Sequence, residues 1–487
     1  MPVPHRATVS LTMIARNEEH NLRDCLAPLA GLFDEVVVVD TGSHDRTREV
    51  AAELGAKVFE FPWCDDFSAA RNAALDHASS DYALWLDADD RLDTENRLKL
   101  RQVLDQLRPD RRAYLMACLS PAEHVVDDAA VITHCRLFPR MPEVRWGRRV
   151  HEQILPSLER AGAAIAQTDV QITHLGYRDP AQVRRKVNRD LRLLRLEYAI
   201  DPGDAVTLFN LGLTHMRIGA FGDALTYLLS SLKNARGQAD WMRRLFALAS
   251  EALQRLSRRE EALSVLSQGE QLFPHDAELL TRKANLLCQV GDLGGAERVL
   301  VRLLRAPREQ HLLAGGQAML DRREGRCLLG MIYRDQNRPQ EAERVFQELL
   351  GEHADYVRAW VGLGYVYLGQ ERWGDLNHVC QQLHKCQDGQ VYAMLLKAEG
   401  MIARGELADA KPLIDQAILL APKMVWARLV LAGWLGRTAS PIEECQAAFR
   451  DILRLDPGNA AAIDSLKELE RRQDSKAAGP LCWTITV

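Results

Sequence analysis

The stretch "DYALWLDADDRLD", residues 81–93, places an apolar run directly before three carboxylates, Asp87, Asp89 and Asp90. A short apolar run bounded by polar residues is typical of a strand buried within a sheet. Asp87 and Asp89 are two residues apart, so they would point to opposite faces of an extended chain unless a loop turns them together. Carboxylate oxygens gathered in this way are the ligands that Mg²⁺ and Mn²⁺ prefer.

The same acids can also be interpreted as an acidic turn before a helix. Residues 95–107 have a helical pattern, and Asp93 or Thr94 would then be the N-cap. Because acidic pairs of this kind occur often by chance, the stretch alone leaves both interpretations open. The segments that precede it in the chain favour the metal site.

Four β-rich runs alternate with helical segments in the first part of the chain. The runs cover residues 7–15, 35–40, 56–61 and 82–89. This alternation predicts βαβ units in a Rossmann-like α/β domain, with a mostly parallel sheet that is covered on both faces. Polar clusters follow three of the runs, namely "ARNEE", "DTGSHD" and "DADD". Since ligands bind beyond the carboxyl ends of parallel strands, the clusters predict one shared site.

Composition and missing motifs disfavour several classes of function. The formal net charge of −5 gives no support for nucleic acid or an anionic membrane as the main partner. Neither a G-x-G-x-x-G turn nor a P-loop lysine motif is present, which disfavours nicotinamide dehydrogenases and P-loop ATPases. No apolar window is long enough to predict an integral membrane segment. Ten cysteines without C-x-x-C spacing are typical of reduced thiols in a cytoplasmic protein.

The second part of the chain contains a repeat with a period of 34 residues. Small residues recur at this spacing at Gly330, Gly364, Ala398 and Ala432. A helix–turn–helix unit of this length is the signature of tetratricopeptide repeats, which stack because one hairpin cannot bury its apolar face alone. We expect about seven copies in an all-α superhelix, with a longer spacer near residues 306–324.

These patterns predict four segments along the chain. An α/β domain covers residues 1–178, a basic linker helix 179–202, a repeat array ending in a capping helix 203–472, and a loose tail 473–487. Stacked helical pairs form grooves suited to extended or helical peptides, so we expect the array to bind a peptide or protein partner. An oligomerisation surface and recruitment to a membrane-bound assembly are the alternatives.

The segments "TMIARNEEHNLRDCL", "DEVVVVDTGSHDRTREVA", "FPWCDDFSAARNAALDHA" and "YALWLDADD" follow one another in the order and spacing of family 2 glycosyltransferases. Nearly the whole chain resembles the bacterial branch in which tetratricopeptide repeats follow the catalytic domain, a branch that is similar to the bacteriocin S-glycosyltransferases. The resemblance implies a GT-A fold. It also implies metal-dependent, inverting transfer of a sugar from a nucleotide sugar, most often UDP-linked, to a peptide, protein or glycan.

The resemblance implies roles for the residues that match the family's motifs. Asp40 would hydrogen-bond the uracil imide, and Arg71 would pack on or pair with the base or the diphosphate. Ala15 and Glu18, at the end of the first strand, would border the nucleoside.

On the phosphate side, Asp87 would face the ribose, and Asp89 would bind the Mg²⁺ or Mn²⁺ that bridges the two phosphates. His174 follows a strand-like run, where the family often supplies a further metal ligand. Asp65 and Asp66 either line the same cleft or cap the helix that follows them.

An inverting transfer also needs a base that deprotonates the acceptor. Where much of the family has an acidic pair, this chain has His-Glu in "EVRWGRRVHEQI". Glu152 is therefore the expected base and His151 its orienting or substrate-binding neighbour, with Asp90 as the next candidate for the base.

Two other classes of function stay open. The chain could be a repeat scaffold with an inactive transferase domain, although its Asp40, Arg71, Asp87 and Asp89 match the family together. It could also be a nucleotidyltransferase, which would need a Gly-rich basic loop where this chain has "ARNEE". The reaction products distinguish these classes, because a glycosyltransferase releases UDP and a nucleotidyltransferase releases pyrophosphate.

Overall fold

The computed structural model describes residues 6–120, 130–176, 180–239, 241–306, 317–438 and 440–475. The chain divides into two compact units. The first consists of residues 1–286 and 305–322, and the second of residues 287–304 and 323–487. The first unit contains a β-sheet with its helices and the earliest repeats, and the second contains helical repeats.

A single eight-stranded sheet forms the centre of the first unit, in the order β3-β2-β1-β4-β7-β6-β8-β5. The strands are β1 (Val9–Ala15), β2 (Glu35–Asp40), β3 (Lys57–Glu60), β4 (Tyr82–Trp85), β5 (Asp90–Arg91), β6 (Arg112–Ser120), β7 (Ala130–Pro139) and β8 (Ala164–His174). Strands β3, β2, β1 and β4 are parallel, as the alternation of strands and helices predicted. Their carboxyl ends therefore meet at one edge.

The other half of the sheet is mixed and contains antiparallel pairs that the alternation of strands and helices did not predict. Strands β6 and β8 are parallel, whereas the pairs β4–β7, β6–β7 and β5–β8 are antiparallel. The expected strand at 82–89 also ends earlier, at Trp85, because the chain turns there so that Asp90 pairs with His174. The sequence interpretation does not include β6 or β7, and in β7 the polar side chains of Thr133, His134 and Arg136 interrupt the apolar pattern.

Helices cover the sheet and place polar turns at its edge. They are α1 (Glu19–Leu26), α2 (Thr47–Glu53), α3 (Phe67–His77), α4 (Thr94–Gln106), α5 (Leu155–Arg160) and α6 (Pro180–Ile200). Asp93 is the N-cap of α4, accepting the Asn96 amide at 2.8 Å, so the capping interpretation holds for Asp93. Asp87, Asp89 and Asp90 precede that cap and are free for another role.

Seven helical pairs follow α6 within the described residues, as the repeat predicted, and a further helix follows them. The helices are α7 (Ala205–Arg217), α8 (Phe221–Asn234), α9 (Trp241–Arg255), α10 (Arg259–Leu272), α11 (Ala277–Gln289), α12 (Leu293–Arg305), α13 (Gln317–Asp335), α14 (Pro339–Glu352), α15 (Val357–Gly369), α16 (Trp373–Leu383), α17 (Gly389–Ala403), α18 (Leu407–Leu420), α19 (Val425–Arg437), α20 (Ile442–Leu455) and α21 (Ala460–Ser475). Leu469 of α21 is fully buried in the cluster formed with α19 and α20.

Glycines mark the positions at which these helices pack most closely. A Cβ atom added to Gly330 would lie 2.7 Å from Phe346 Cζ, and one added to Gly364 would lie 2.7 Å from Leu396 Cδ1. Only a residue without a side chain fits either position. The small residues of the 34-residue series therefore recur for a packing reason, as predicted.

Some expectations fall outside the described residues. These are the junction at residue 178, the middle of the spacer at 307–316 and most of the tail, 476–487. Among the helices that the structure does describe, none combines the length and apolar character needed to cross a membrane.

Candidate functional site

The three acids that follow β4 lie together at the carboxyl edge of the sheet. The chain turns tightly after Asp87, whose carbonyl accepts the Asp90 amide at 3.0 Å and whose own amide donates to Asp90 Oδ2 at 2.8 Å. His174 reaches the same place from β8, with Nδ1 2.9 Å from Asp90 Oδ1 and 3.4 Å from Asp89 Oδ1. One ligand atom from each of these four residues lies within 4.8 Å of all the others.

Asp87, Asp89 and His174 differ in the charge state that their surroundings favour. Burial raises the pKa of Asp89, and the charges of Asp87 and Asp90 add to this effect against the opposing charge of His174. The hydrogen bond to Asp90 raises the pKa of His174 although burial opposes it. Burial alone would raise the pKa of Asp87, but the nearby Arg71 guanidinium holds it at about 2. Asp87 is therefore a fixed anion at the site.

Arg136 of β7 supports the acidic turn from within the sheet. Its Nη1 donates to Asp90 Oδ2 at 2.8 Å, and its guanidinium lies 3.7 Å from the centroid of the Trp85 ring. Nη2 donates to Cys118 Sγ at 2.9 Å. Neither Arg136 nor Asp90 reaches solvent appreciably, with 2% and 0% of their side chains exposed. Sequence reasoning missed Arg136, whose only signal is a positive charge beside the apolar end of β7.

Arg71 of α3 connects the acidic turn with the loop that precedes α5. Its Nε donates to Glu152 Oε1 at 2.7 Å, and its Nη2 donates to Asp87 Oδ1 at 3.0 Å. The guanidinium also lies 4.3 Å from the ring centroid of Trp85 and 5.2 Å from that of Trp146. Burial opposes its charge, but Asp87 and Glu152 together raise the pKa of Arg71. The structure therefore brings the predicted residues Arg71, Asp87 and Glu152 into direct contact.

Asp40 ends β2 at the same edge of the sheet and is 2% exposed. Its Oδ2 accepts the backbone amides of Gly42 at 3.2 Å and Ser43 at 3.0 Å, which fixes the "DTGSHD" turn. Gly42 has φ +99°, a conformation that favours glycine. The second oxygen, Oδ1, is enclosed, and within the described part of the chain it has no hydrogen-bond partner. A buried carboxylate oxygen without a partner is unusual, and a ligand that donates a hydrogen bond would satisfy it.

Ala15 and Glu18 lie beside this turn. Ala15 ends β1 in register with Asp40, and its carbonyl accepts the Thr41 amide at 2.9 Å. Glu18 Oε2 accepts Asn21 Nδ2 at 2.7 Å, and burial raises the pKa of Glu18. The charges of Asp89 and Asp87 raise it further, so Glu18 lies near the acidic turn.

The two residues of the His-Glu pair have different surroundings. Glu152 is 14% exposed and bonds Arg71, as described above. His151 has φ +55° and an enclosed Nε2 without a hydrogen-bond partner, and burial lowers its pKa. Besides Glu152, the charged residues acting on His151 include Asp190 of α6 and Arg217 of α7. The structure therefore connects Glu152, rather than His151, to the acidic turn.

The loop that carries Glu152 is held by α6 and the start of α7. Arg148 donates to Asp204, the N-cap of α7, at 2.6 Å. The Arg149 amide donates to Glu197 of α6, and the Arg149 carbonyl accepts the Phe67 amide at 2.9 Å. These bonds couple the position of Glu152 to the first helices after the sheet.

Asp65 and Asp66 are held in separate ways at the start of α3. Asp66 caps the helix, accepting the Ala69 amide at 3.0 Å, which matches the capping alternative. Asp65 instead pairs with Arg192 of α6 at 2.8 Å and accepts Trp63 Nε1 at 2.8 Å. Both acids therefore have structural partners.

Comparisons with known proteins agree with this arrangement. Residues 10–114 match the family model "Glycosyl transferase family 2", and residues 327–375 match a "Tetratricopeptide repeat" model. A "TPR repeat-containing protein" of Synechococcus elongatus is 37% identical over 237 residues, which are 47% of this chain and 58% of that protein. The "SPbeta prophage-derived glycosyltransferase SunS" of Bacillus subtilis is 24% identical over 243 residues, 47% of this chain and 54% of that protein. The chain thus spans somewhat more than half the length of each of these relatives.

Solved structures were matched through the helical repeats. A tetratricopeptide repeat protein from Parabacteroides merdae has a TM-score of 0.46 and 14% identity, covering 55% of this chain and 98% of that one. By the two family models, the chain carries a glycosyl transferase family 2 domain at residues 10–114, followed by tetratricopeptide repeats at residues 327–375.

Proposed function

We propose that the chain is a glycosyltransferase that moves a sugar from a nucleotide-sugar donor, UDP-linked in the first instance, to a peptide, protein or glycan acceptor. The proposal is supported by the match of residues 10–114 to the transferase family. The observation that carries it is the grouping of Asp40, Arg71, Asp87 and Asp89 at one edge of the sheet, because each group suits a different part of such a donor.

Asp40 and Arg71 would hold the nucleoside diphosphate. The unpartnered Oδ1 of Asp40 can accept the imide N–H of a uracil base, while its Oδ2 stays bound to the turn. Arg71 presents a cation beside the diphosphate, and its two carboxylate partners fix the orientation of its guanidinium. Ala15 and Glu18 border the same space from the end of β1.

The donor set also fits a divalent cation, Mg²⁺ or Mn²⁺. Asp89 and His174 would hold it, with Asp87 beside them, since their ligand atoms lie within 4.8 Å of one another. Oxygen and imidazole ligands suit Mn²⁺, and oxygen ligands suit Mg²⁺. When bound, such an ion neutralises charge on the departing diphosphate.

Glu152 is the base in this proposal. It would take the proton of the acceptor as the acceptor attacks C1 of the sugar, and the bond between C1 and the diphosphate would break with inversion. Arg71 holds the Glu152 carboxylate 2.7 Å away and aligns it with the donor. Asp90, the other candidate for the base, has no exposed surface and cannot reach an acceptor. We assign Asp90 a positioning role instead.

The repeats would bind a protein partner, and this partner could be the acceptor itself. Their match to tetratricopeptide models and the stacked helical pairs support this part of the proposal. A cytoplasmic location stays a prediction from the cysteine pattern.

The test is release of nucleotide from a panel of nucleotide sugars with Mn²⁺ or Mg²⁺. We expect UDP from a UDP-sugar, and a loss of turnover by orders of magnitude in Asp89→Ala. Asp40→Asn should weaken donor binding and change the relative affinities for UDP-, GDP- and dTDP-sugars. Full activity of Asp89→Ala in excess EDTA would falsify the metal assignment. Pyrophosphate release would instead identify a nucleotidyltransferase.

A further inference from the structure

The second unit contains a carboxylate in aromatic surroundings. The first helices of three successive pairs, α15, α17 and α19, pack side by side. Tyr365 and Glu399 lie 34 residues apart, and so do Tyr392 and Trp426, so each pair occupies equivalent positions in neighbouring repeats. The Trp426 ring centroid lies 6.0 Å from that of Tyr365 and 5.7 Å from that of Tyr392.

Only one oxygen of the Glu399 carboxylate has a partner. Oε1 accepts Tyr365 Oη–H at 3.2 Å and Trp426 Nε1–H at 3.5 Å. Oε2 is enclosed by the protein and has no hydrogen-bond partner among the residues that the structure describes. Burial raises the pKa of Glu399 to about 7. A buried acid in this state is costly unless a donor or a cation completes its bonding.

In a second Tyr–Glu pair of the same unit, the carboxylate is bonded to a cation as well as to the tyrosine. Glu343 accepts Tyr367 Oη–H at 3.0 Å, and it also pairs with Arg372 Nη1 at 2.7 Å. Glu343 therefore has an internal cation bonded to it, whereas Glu399 does not. The charge of Arg334 acts against the raised pKa of Glu399, but this side chain donates to Asp335 at 2.8 Å and lies 5.3 Å from the Tyr365 ring centroid.

We propose that Glu399, Tyr365, Tyr392 and Trp426 form a pocket for the cationic side chain of a Lys or Arg residue in a peptide segment of a partner protein. The cation would bond Glu399 Oε2 and contact the faces of the aromatic rings, two interactions that favour the same charged group. A peptide is the occupant because the pocket is built from equivalent positions of successive repeats, along which an extended segment can lie. The inference goes beyond glycosyl transfer, and its failure would leave the transferase proposal intact.

The experiment compares matched synthetic peptides on the full-length chain. Short fluorescent peptides with one central Arg or Lys, in varied neutral surroundings, are titrated against the same peptides with citrulline or norleucine at that position. We expect the best cationic peptides to bind about tenfold more tightly than their neutral counterparts. If no peptide binds, or if the cationic and neutral peptides bind with the same affinity, the proposal is overturned.

Two variants then test whether Glu399 causes the preference for the cationic peptide. Glu399→Gln keeps the shape of the side chain and should abolish the preference for the cationic peptide, whereas Glu343→Gln, the matched control, should retain it. Retained preference in Glu399→Gln overturns the proposal. Thermal unfolding establishes that each variant is folded. If Glu399→Gln does not fold, Tyr392→Leu replaces it in the test, because Tyr392 is partly exposed. This variant must weaken binding of the cationic peptide and leave binding of the neutral peptide unchanged.

Discussion

Arg136 and Asp90 form an ion pair inside the sheet, with Nη1 2.8 Å from Oδ2 and almost no exposed surface on either side chain. Asp90 also accepts the Asp87 amide and lies 2.9 Å from His174 Nδ1. The pair thus anchors the turn that carries the acidic group, while Asp89 stays partly exposed at the surface of the site. Asp90 thus supports the turn, whereas its neighbour Asp89 is the acid that we propose as a metal ligand.

Removing one partner of this pair should destabilise the first unit strongly. Arg136→Met removes the guanidinium from the buried Asp90 charge and leaves His174 as its remaining ionisable partner, so a cost of up to about 3–5 kcal/mol is expected. The measurement is urea unfolding of the full-length chain followed by tryptophan fluorescence, since Trp85 lies against Arg136.

The exposed pair of Arg145 and Asp76 provides the matched control. Its atoms lie 3.0 Å apart, but the side chains are 44% and 59% exposed, so Arg145→Met should change stability by less than about 1 kcal/mol. Equal effects of Arg136→Met and Arg145→Met would contradict the anchoring role of the buried pair.

Glu152→Gln tests the base and the donor site separately. Gln can still accept a bond from Arg71 Nε, so the guanidinium should keep its orientation and donor affinity should change little. Loss of proton transfer should lower kcat by about 10²–10⁴-fold. Steady-state kinetics and donor titration measure the two quantities.

Arg71→Lys is the complementary variant. Lys cannot bond Glu152 and Asp87 with two fixed N–H groups, so donor affinity and kcat should both fall.

A normal kcat in Glu152→Gln would show that another group accepts the proton.

Asp204 gives a prediction about pH. Burial alone would raise its pKa, but hydrogen bonds from Arg148 and Thr207 hold it at about 2. A carboxyl group with a lower pKa in the folded state stabilises the fold above its unfolded pKa of about 4, and this stabilisation is lost as the pH falls toward 2. The urea midpoints of wild type and Asp204→Asn should therefore differ most near neutral pH and converge near pH 2. A difference that is constant over this range would show that the charge is not responsible.

Much of the molecule could be predicted from the sequence because its signals are local or periodic. The 34-residue spacing of Gly330 and Gly364 reflects close packing between helices, and each repeat contacts mainly its neighbours. The shared position of Asp40, at the end of β2, and Asp87, shortly after β4, could be predicted because the alternation of strands and helices brings the carboxyl ends of parallel strands together.

The rest depends on contacts between residues distant in sequence. The spacing of 46 residues between Asp90 and Arg136 gives no sign that they pair, and β7 lacks the periodicity that would have identified it. For this reason Asp90 was interpreted as a candidate base instead of a buried anchor. Local sequence patterns likewise could not predict the contact between Arg71 and Glu152, which are 81 residues apart in the chain.

Phe346 provides a test of the packing between repeats. It is fully buried, and Cβ atoms added to Gly362 and Gly330 would lie 2.3 Å and 2.7 Å from its Cζ. The ring has glycines at both contacts and no space to move away from either. Gly362→Ala should therefore destabilise the repeats by about 1–3 kcal/mol, although alanine favours a helix more than glycine does.

Gly369, in the same helix, is the matched control because nothing lies within 4 Å of an added Cβ. Gly369→Ala should be neutral or stabilise the chain by about 0.4–1 kcal/mol, since it restricts the unfolded state without a clash. Thermal unfolding followed by far-UV circular dichroism measures both variants. The double variant Gly362→Ala with Phe346→Leu should be more stable than the sum of the two single effects predicts, because the smaller side chain makes room for the methyl group. Strict additivity would mean that Gly362→Ala acts through the backbone instead of through contact with Phe346.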